Sequence, residues 1–426
     1  MVPSLRRAVI TGAGALSAVG DTPEALWQSW NAGKSGIKTI SLFDSSGLPV
    51  RIAGEMTEFD AKNYIDKKDR KQLRMMARTI QLAVACSQKT LENSKIDKAK
   101  LDKTRFGVIF GAGLIASELP ELADAAHKSA TPHRGKMDLS IWGRDGLPVI
   151  QPLWMLRYLP NMLACQVSIL HDAQGPNNSI TQDDVAGLLA VGETLRIMRR
   201  DHGDFFLVGG GDSRINPVSL SRQSLFLPLA RRSEDAHLAC RPFDESREGL
   251  VLGEGCGVLA IEELNHARSR GANILAEVAG FGSAFDTRRD GDGMARAITT
   301  ALAHAGASPG DVDHVNACGY GTPCEDILES HGIHSVFKGL PVPVTTIKPC
   351  TGHTGAASGT LELIAAVECL VRGEVPGTMN HNKTDSKCPV NVITGPTRKM
   401  EKPLIVKTGF TREGQCAAVV LRRWNG

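Results

Sequence analysis

No run of about 20 apolar residues occurs in the chain, so no membrane span is expected. The opening MVPSLRRAVITGAG lacks the long apolar core of a signal peptide. Neither sign of charge dominates, with 49 basic residues against 46 acidic ones. The net charge is only +3, and a nucleic-acid partner, which usually demands a concentrated basic stripe, is not expected. Cys-x-x-Cys is missing. The nearest of the ten scattered cysteines, Cys318 and Cys324, have no matching second pair, which argues against zinc and leaves no metal set. The cysteines read as buried or catalytic thiols in a reducing compartment, so the expected location is cytoplasmic. A third glycine is missing from Gly12-Ala13-Gly14, where Ser17 stands in its place. A tight strand-to-helix turn is therefore preferred to a dinucleotide-binding one.

What is present is an ordinary globular balance, 42% hydrophobic and 22% charged, which predicts a large buried core. The 44 glycines predict tight turns and close backbone approaches. Apolar strands are expected at 7–11, 106–110, 205–208, 258–261 and 276–280. Three of them run into glycines. Helical spacing occupies 75–91, and Thr22-Pro23 opens another helix, with Thr as N-cap and Pro in the first turn. This alternation predicts an α/β architecture with mostly parallel sheets. The stretch 133–152, rich in Gly, Pro and charge, reads as a surface excursion or cap. Residues 179–200 and 345–372 each run from a short strand through a loop into a long amphipathic helix. Two similar halves, 1–263 and 264–426, would explain this repeat, although any two α/β units share such a pattern.

Five segments carry more specific patterns. They are Gly175-Pro-Asn-Asn-Ser-Ile-Thr-Gln-Asp-Asp184-Val-Ala-Gly187, Arg241-Pro-Phe-Asp244, Gly249-Leu-Val-Leu-Gly-Glu-Gly255, Val315-Asn-Ala-Cys-Gly-Tyr-Gly-Thr-Pro-Cys-Glu-Asp326 and Lys348-Pro-Cys-Thr-Gly-His353-Thr-Gly-Ala-Ala-Ser-Gly359. In this order, and over essentially the whole chain, they resemble the elongating β-ketoacyl-carrier-protein synthases. The resemblance implies a five-layered αβαβα thiolase fold with two pseudo-repeated halves. It also implies a homodimer, or a heterodimer with an active ketosynthase. No cofactor is implied beyond the phosphopantetheine of acyl carrier protein, on which substrates are carried. Active members use a Cys-His-His triad and a supporting lysine.

Carried over by position, the resemblance places Asp184 where the nucleophilic cysteine stands and Cys318 where the first histidine stands. It retains His353 as the second histidine and Lys348 as the lysine. Asp326 and Glu329 match the acidic residues after the first histidine. In the family a C-terminal Gly-Phe-Gly-Gly turn supplies an oxyanion-hole amide and a gatekeeping aromatic. Here Phe410 keeps the aromatic, but Thr411-Arg412-Glu413 replaces the small residues. Lys67, Lys68, Arg70, Lys71 and Arg74 lie in one helix-like stretch. They match the basic surface that meets an acidic carrier protein, or they form a solvated helix face.

A carboxylate at a helix N-terminus stays ionised and is a poor nucleophile toward a thioester. A thiol is a weak donor and cannot replace imidazole at an enolate. Three readings follow. The chain is a non-catalytic partner resembling the chain-length factors of polyketide systems. Or it is a repurposed acyl-thioester enzyme, a malonyl decarboxylase or an acyltransferase using a Cys318–His353 pair. Or it is a free-standing protein that sequesters acyl chains. Simpler roles stand beside each site residue: Cys318 as a small buried filler, Lys348 and His353 as a buried polar network, Asp184 as a helix cap.

Overall fold

The computed structural model describes residues 6–130, 136–232 and 234–426. Ten strands build its core: β1 (Ala8–Leu16), β2 (Phe106–Ala112), β3 (Asn177–Ile180), β4 (Phe205–Ser213), β5 (Glu254–Glu263), β6 (Ala276–Phe285), β7 (Val312–Asn316), β8 (Pro343–Thr345), β9 (Leu404–Phe410) and β10 (Gln415–Arg423). The helices that sandwich them are α1 (Arg78–Ser94), α2 (Ala186–Arg199), α3 (Asp292–His304), α4 (Pro323–Phe337) and α5 (Ser358–Arg372).

The strand order repeats. In the first half it is 3-2-4-5-1, and in the second 8-7-9-10-6. Polarity repeats with it. Strands β3, β2 and β4 are parallel, with Val108 beside Asn177 and Leu207, and β5 and β1 follow antiparallel. Likewise β8, β7 and β9 are parallel, with Val315 beside Val344 and Val406, and β10 and β6 follow antiparallel. The halves join where β1 meets β6, Ile10 opposite Ala276.

Alternation along each strand assigns the layers. On β4, Phe205 and Leu207 pack toward Ile80 and Val84 of α1, and Phe206 and Val208 toward Val191 of α2 and Ile364 of α5. On β10, Val419 and Leu421 join that central cluster, while Ala418 and Val420 meet Ile298 and Leu302 of α3. Helix, sheet, paired central helices, sheet and helix are therefore the five layers expected. Each large apolar side chain buried between them contributes roughly 1.5–3 kcal/mol.

Four details differ from the sequence reading. The sheet is mixed rather than mostly parallel, with antiparallel strands at its centre. Gly12 and Gly14 do not turn the chain; they lie inside β1. A Cβ on Gly12 would sit 2.6 Å from the Ser94 Cβ, and one on Gly14 2.5 Å from the Thr90 Oγ1. These glycines let α1 press onto the strand. Gly209, Gly210 and Gly211 likewise continue β4. The basic stretch is not one helix: Lys67 and Lys68 lie in a turn that precedes a 3-10 helix, Arg70–Met75. Thr22 does cap its helix, accepting a hydrogen bond from the Ala25 N–H. Of the 133–152 stretch, residues 133–135 lie outside the described residues, and the remainder forms short helical turns with Leu139 and Leu147 exposed. Among the described residues no helix is long and apolar enough to cross a membrane.

Candidate active site

Both repeats deliver a loop from an outer strand of the sheet to a central helix. After β3 the chain makes a short turn at Asp183–Val185 and enters α2. Gly111 of β2 allows this approach, since a Cβ there would meet the Ala186 carbonyl carbon at 2.4 Å. After β8 the chain passes Lys348–Thr351 and Gly355–Ala357 before α5. Asp184 and His353 are thereby brought together, the His353 Nε2 lying 3.6 Å from the Asp184 Oδ2.

Asp184 is not free. Its Oδ2 accepts a hydrogen bond from the Tyr320 hydroxyl at 2.7 Å. Its Oδ1 lies 3.1 Å from the Arg214 Nη2. Arg214, just beyond β4, also pairs with Asp183 and, at 2.9 Å, with Asp212. Three carboxylates thus surround one buried guanidinium. Asp183 adopts a left-handed backbone (φ 45°), which is uncommon for a residue with a side chain, and its carboxylate pairs with Arg214.

Tyr320 is 1% exposed. Its ring centroid lies 4.8 Å from that of His353 and 5.0 Å from that of Phe410. The Lys348 Nζ sits 5.9 Å from the same ring. The hydroxyl is also 2.8 Å from the Phe410 carbonyl. Gly319 (φ 59°) and Gly321 (φ 76°) flank it and supply the left-handed turns that aim a large ring inward.

His353 accepts a hydrogen bond from the Gly355 N–H at its Nδ1, 3.2 Å away. That contact assigns its proton to Nε2, which has no hydrogen-bond partner. Burial, with Lys348 and Arg214 adding to it, lowers its pKa well below the usual range. The ring is neutral.

Cys318 is 3% exposed, and burial pushes its thiol up to about 12 against the opposing pull of Lys348. Its Sγ lies 3.4 Å from the Lys348 Nζ. A low-pKa thiolate is what a reactive cysteine needs, and this site supplies the reverse. Lys348 donates at 2.7 Å to the Cys318 carbonyl and pairs with Glu362. A second buried lysine, Lys407 of β9, reaches the other oxygen of Glu362 at 2.7 Å.

The acidic residues of α4 hold the loop. Glu329 accepts the N–H groups of Cys318 and Gly319 at 2.7 and 2.8 Å. Asp326 accepts those of Phe243 and Gly321 at 2.7 and 3.0 Å. Burial holds the Asp326 carboxyl up at about 7 despite these bonds and the nearby Arg247. After Phe410 the chain closes a turn, Gly414 N–H to Thr411 carbonyl at 3.0 Å. Arg412 is tied to Glu325 at 2.8 Å and to the Phe226 carbonyl at 2.7 Å.

An open cavity of about 520 Å³ lies beside this centre, lined by Thr181, Asp183, Arg214, Arg222, Phe226 and Arg412 among others. Asp184, Cys318, Tyr320, Lys348 and His353 do not line it. The basic residues lie elsewhere on the surface: Lys67, Lys68, Lys71 and Arg74 are exposed and Arg70 is half-buried. Tyr320, Asp212, Arg214, Glu362 and Lys407 are site residues that the sequence reading did not single out.

Residues 5–267 match the model of the beta-ketoacyl synthase N-terminal domain, and residues 273–382 that of the C-terminal domain. The 3-oxoacyl-[acyl-carrier-protein] synthase 2 of Vibrio cholerae is 32% identical over 407 residues, covering 93% of this chain and 94% of the relative. Its counterpart from Coxiella burnetii is 31% identical over 426 residues, covering 98% and 99%. Among solved structures, the ishigamide ketosynthase/chain length factor superposes with a TM-score of 0.86 at 26% identity, over 99% of this chain and 100% of that one. A ketosynthase bound to the hexaketide, solved with its type II polyketide-synthase acyl-carrier protein, gives 0.84 at 25% identity with the same coverage. On the two matched domains and on these relatives, the chain belongs to the β-ketoacyl synthase family.

Proposed function

We propose that this chain is a non-condensing member of the family in fatty-acid or polyketide assembly. In this reading it pairs, as a chain-length factor does, with an active ketosynthase acting on acyl chains tethered to carrier-protein phosphopantetheine. The observation that carries it is the state of Asp184. At the position matched to the nucleophile stands a carboxylate whose oxygens are engaged by Tyr320 and Arg214. The Tyr320 bond is charge-assisted and strong, Arg214 adds an ion pair, and a carboxylate held this way is a poor carrier of an acyl chain. The similarity to a ketosynthase/chain length factor supports the partner role. Lys67, Lys68, Arg70, Lys71 and Arg74 would form the carrier-facing surface, and the assembly would be cytoplasmic.

The enzyme reading through Cys318 and His353 is disfavoured by the burial of the thiol and by its raised pKa. The test is co-expression with an intact-triad ketosynthase from the same genome, followed by co-purification and product analysis. A stable heterodimer whose product length changes when this chain is replaced supports the role. An active ketosynthase that ignores this chain in both respects refutes it.

A further inference from the structure

We infer that Tyr320 is a plug: its ring fills the space between positions 184, 353 and 410 and closes the reaction centre to any thioester, independently of the residue at 184. This rests on the assignment of position 184 to the nucleophile. It goes beyond the loss of that nucleophile, because it names a third obstruction that restoring the triad would leave in place.

The geometry is specific. The phenol reaches Asp184 at 2.7 Å and the Phe410 carbonyl at 2.8 Å, so it spans the gap between the turn before α2 and the end of β9. On its way it lies against His353 and Phe410, at 4.8 and 5.0 Å between centroids. Asp184 and His353 touch, 3.6 Å apart, so a thioester attacked at position 184 and polarised by His353 would have to sit against both side chains. The Tyr320 ring already lies against His353 with its hydroxyl on Asp184, and it is 1% exposed. The two acceptors facing one hydroxyl also fix its tip: a phenol donates a single proton, and Asp184, being charged, is the stronger acceptor. The other wall of position 184 is Arg214, whose side chain is 5% exposed. The 520 Å³ cavity is lined by Asp183 and Arg214 and not by Asp184, Tyr320 or His353.

A thiol placed at 184 reports on the plug directly. Asp184→Cys removes one of three carboxylates around Arg214 and leaves it Asp183 and Asp212. Alkylation by iodoacetamide is followed at that residue by peptide mass, with exposed Cys324 as the internal standard. Reaction follows thiolate access, so Asp184→Cys is expected to react at least about tenfold slower than Asp184→Cys/Tyr320→Ala. Tyr320→Phe keeps the ring and is expected to stay within about threefold of the tyrosine form.

A second measurement needs no new cavity. The single variant's rate is compared between the folded chain and the chain in guanidinium, and protection of about a hundredfold or more is expected. If the thiol introduced by Asp184→Cys, in the folded chain with Tyr320 in place, reacts as fast as Cys324 or as fast as it does unfolded, the plug does not exist. These rates need no partner subunit, so a failed plug and a failed partner role are told apart by which of the two experiments fails.

Discussion

Arg214 stands 3.1 Å from Asp184, its Nη2 facing the Oδ1 of a carboxylate at the N-terminal approach to α2. A catalytic cysteine at this place would draw on the helix field to become a thiolate. Here the same field and a buried guanidinium act on a carboxylate, which in the proposed reading has no acyl chemistry to perform. The arrangement stabilises the chain at the place where a condensing enzyme would carry a reactive group.

Removing Arg214 should therefore be costly. Arg214→Leu leaves the buried Asp212 without its ion-pair partner, and breaking a buried pair costs about 3–5 kcal/mol. Urea unfolding should show a loss of that size. Asp183→Asn should cost below about 1 kcal/mol, since its side chain is 53% exposed. Equal losses from the two variants would contradict this account of the cluster.

Glu362 holds two lysines in a fully buried site. Burial opposes its ionisation, but Lys348 and Lys407 outweigh that and lower its pKa. Burial would lower Lys348, but its neighbours Cys318 and Glu362 raise it instead. A depressed carboxylate stabilises above its unfolded pKa of about 4.3, and a raised lysine below its unfolded pKa of about 10.4. Their joint contribution is complete between these limits and fades outside them. Glu362→Gln should lose about 3–5 kcal/mol near neutrality, and its deficit should shrink as pH falls through the carboxylate's depressed pKa. A deficit independent of pH would contradict the assignment.

Asp326 has the opposite sign. Held up at about 7, it keeps its proton in the folded chain while the unfolded chain has lost it above about 4. Folding binds that proton, so this group's contribution declines as pH rises from about 4 toward 7 and is level thereafter. Asp326→Asn should flatten the wild-type stability profile across that window. An unchanged slope would mean that Asp326 is ionised throughout.

Restoring the triad in part should not restore condensation. Asp184→Cys leaves a thiol where imidazole is required, and Asp184→Cys/Cys318→His leaves Tyr320 in the way. Neither variant should convert acyl- and malonyl-carrier protein to the β-ketoacyl product. Robust turnover by the single variant would sink the proposal that the losses at 184 and 318 both matter.

Much of this was readable before the fold was known, and the misses have physical causes. Strand, loop and helix at 179–200 and at 345–372 announced two matching deliveries, and Asp184 and His353 do meet. Glycines misled wherever they served packing rather than turning, as at Gly12 and Gly14, because a missing Cβ looks the same in sequence for either purpose. Tyr320 was visible as a large aromatic between two glycines, yet which way it pointed depended on the positive φ angles around it. Lys407 could have been flagged as a lysine in the apolar strand Leu404–Phe410, a placement that demands a buried counter-charge. Arg214 had little local signal: Asp212 lies two residues away, but its partners Asp183 and Asp184 lie on a different loop, and only the sheet brings them together.

The central claim, that the site does not accept acyl chains, is tested most directly by intact mass. The purified protein is incubated with acyl- and malonyl-carrier protein, and both partners are weighed. The account predicts no added mass on this chain and no conversion of malonyl to acetyl on the carrier. Acylation mapped to Cys318, or decarboxylation of the malonyl group, would contradict it and establish a working enzyme.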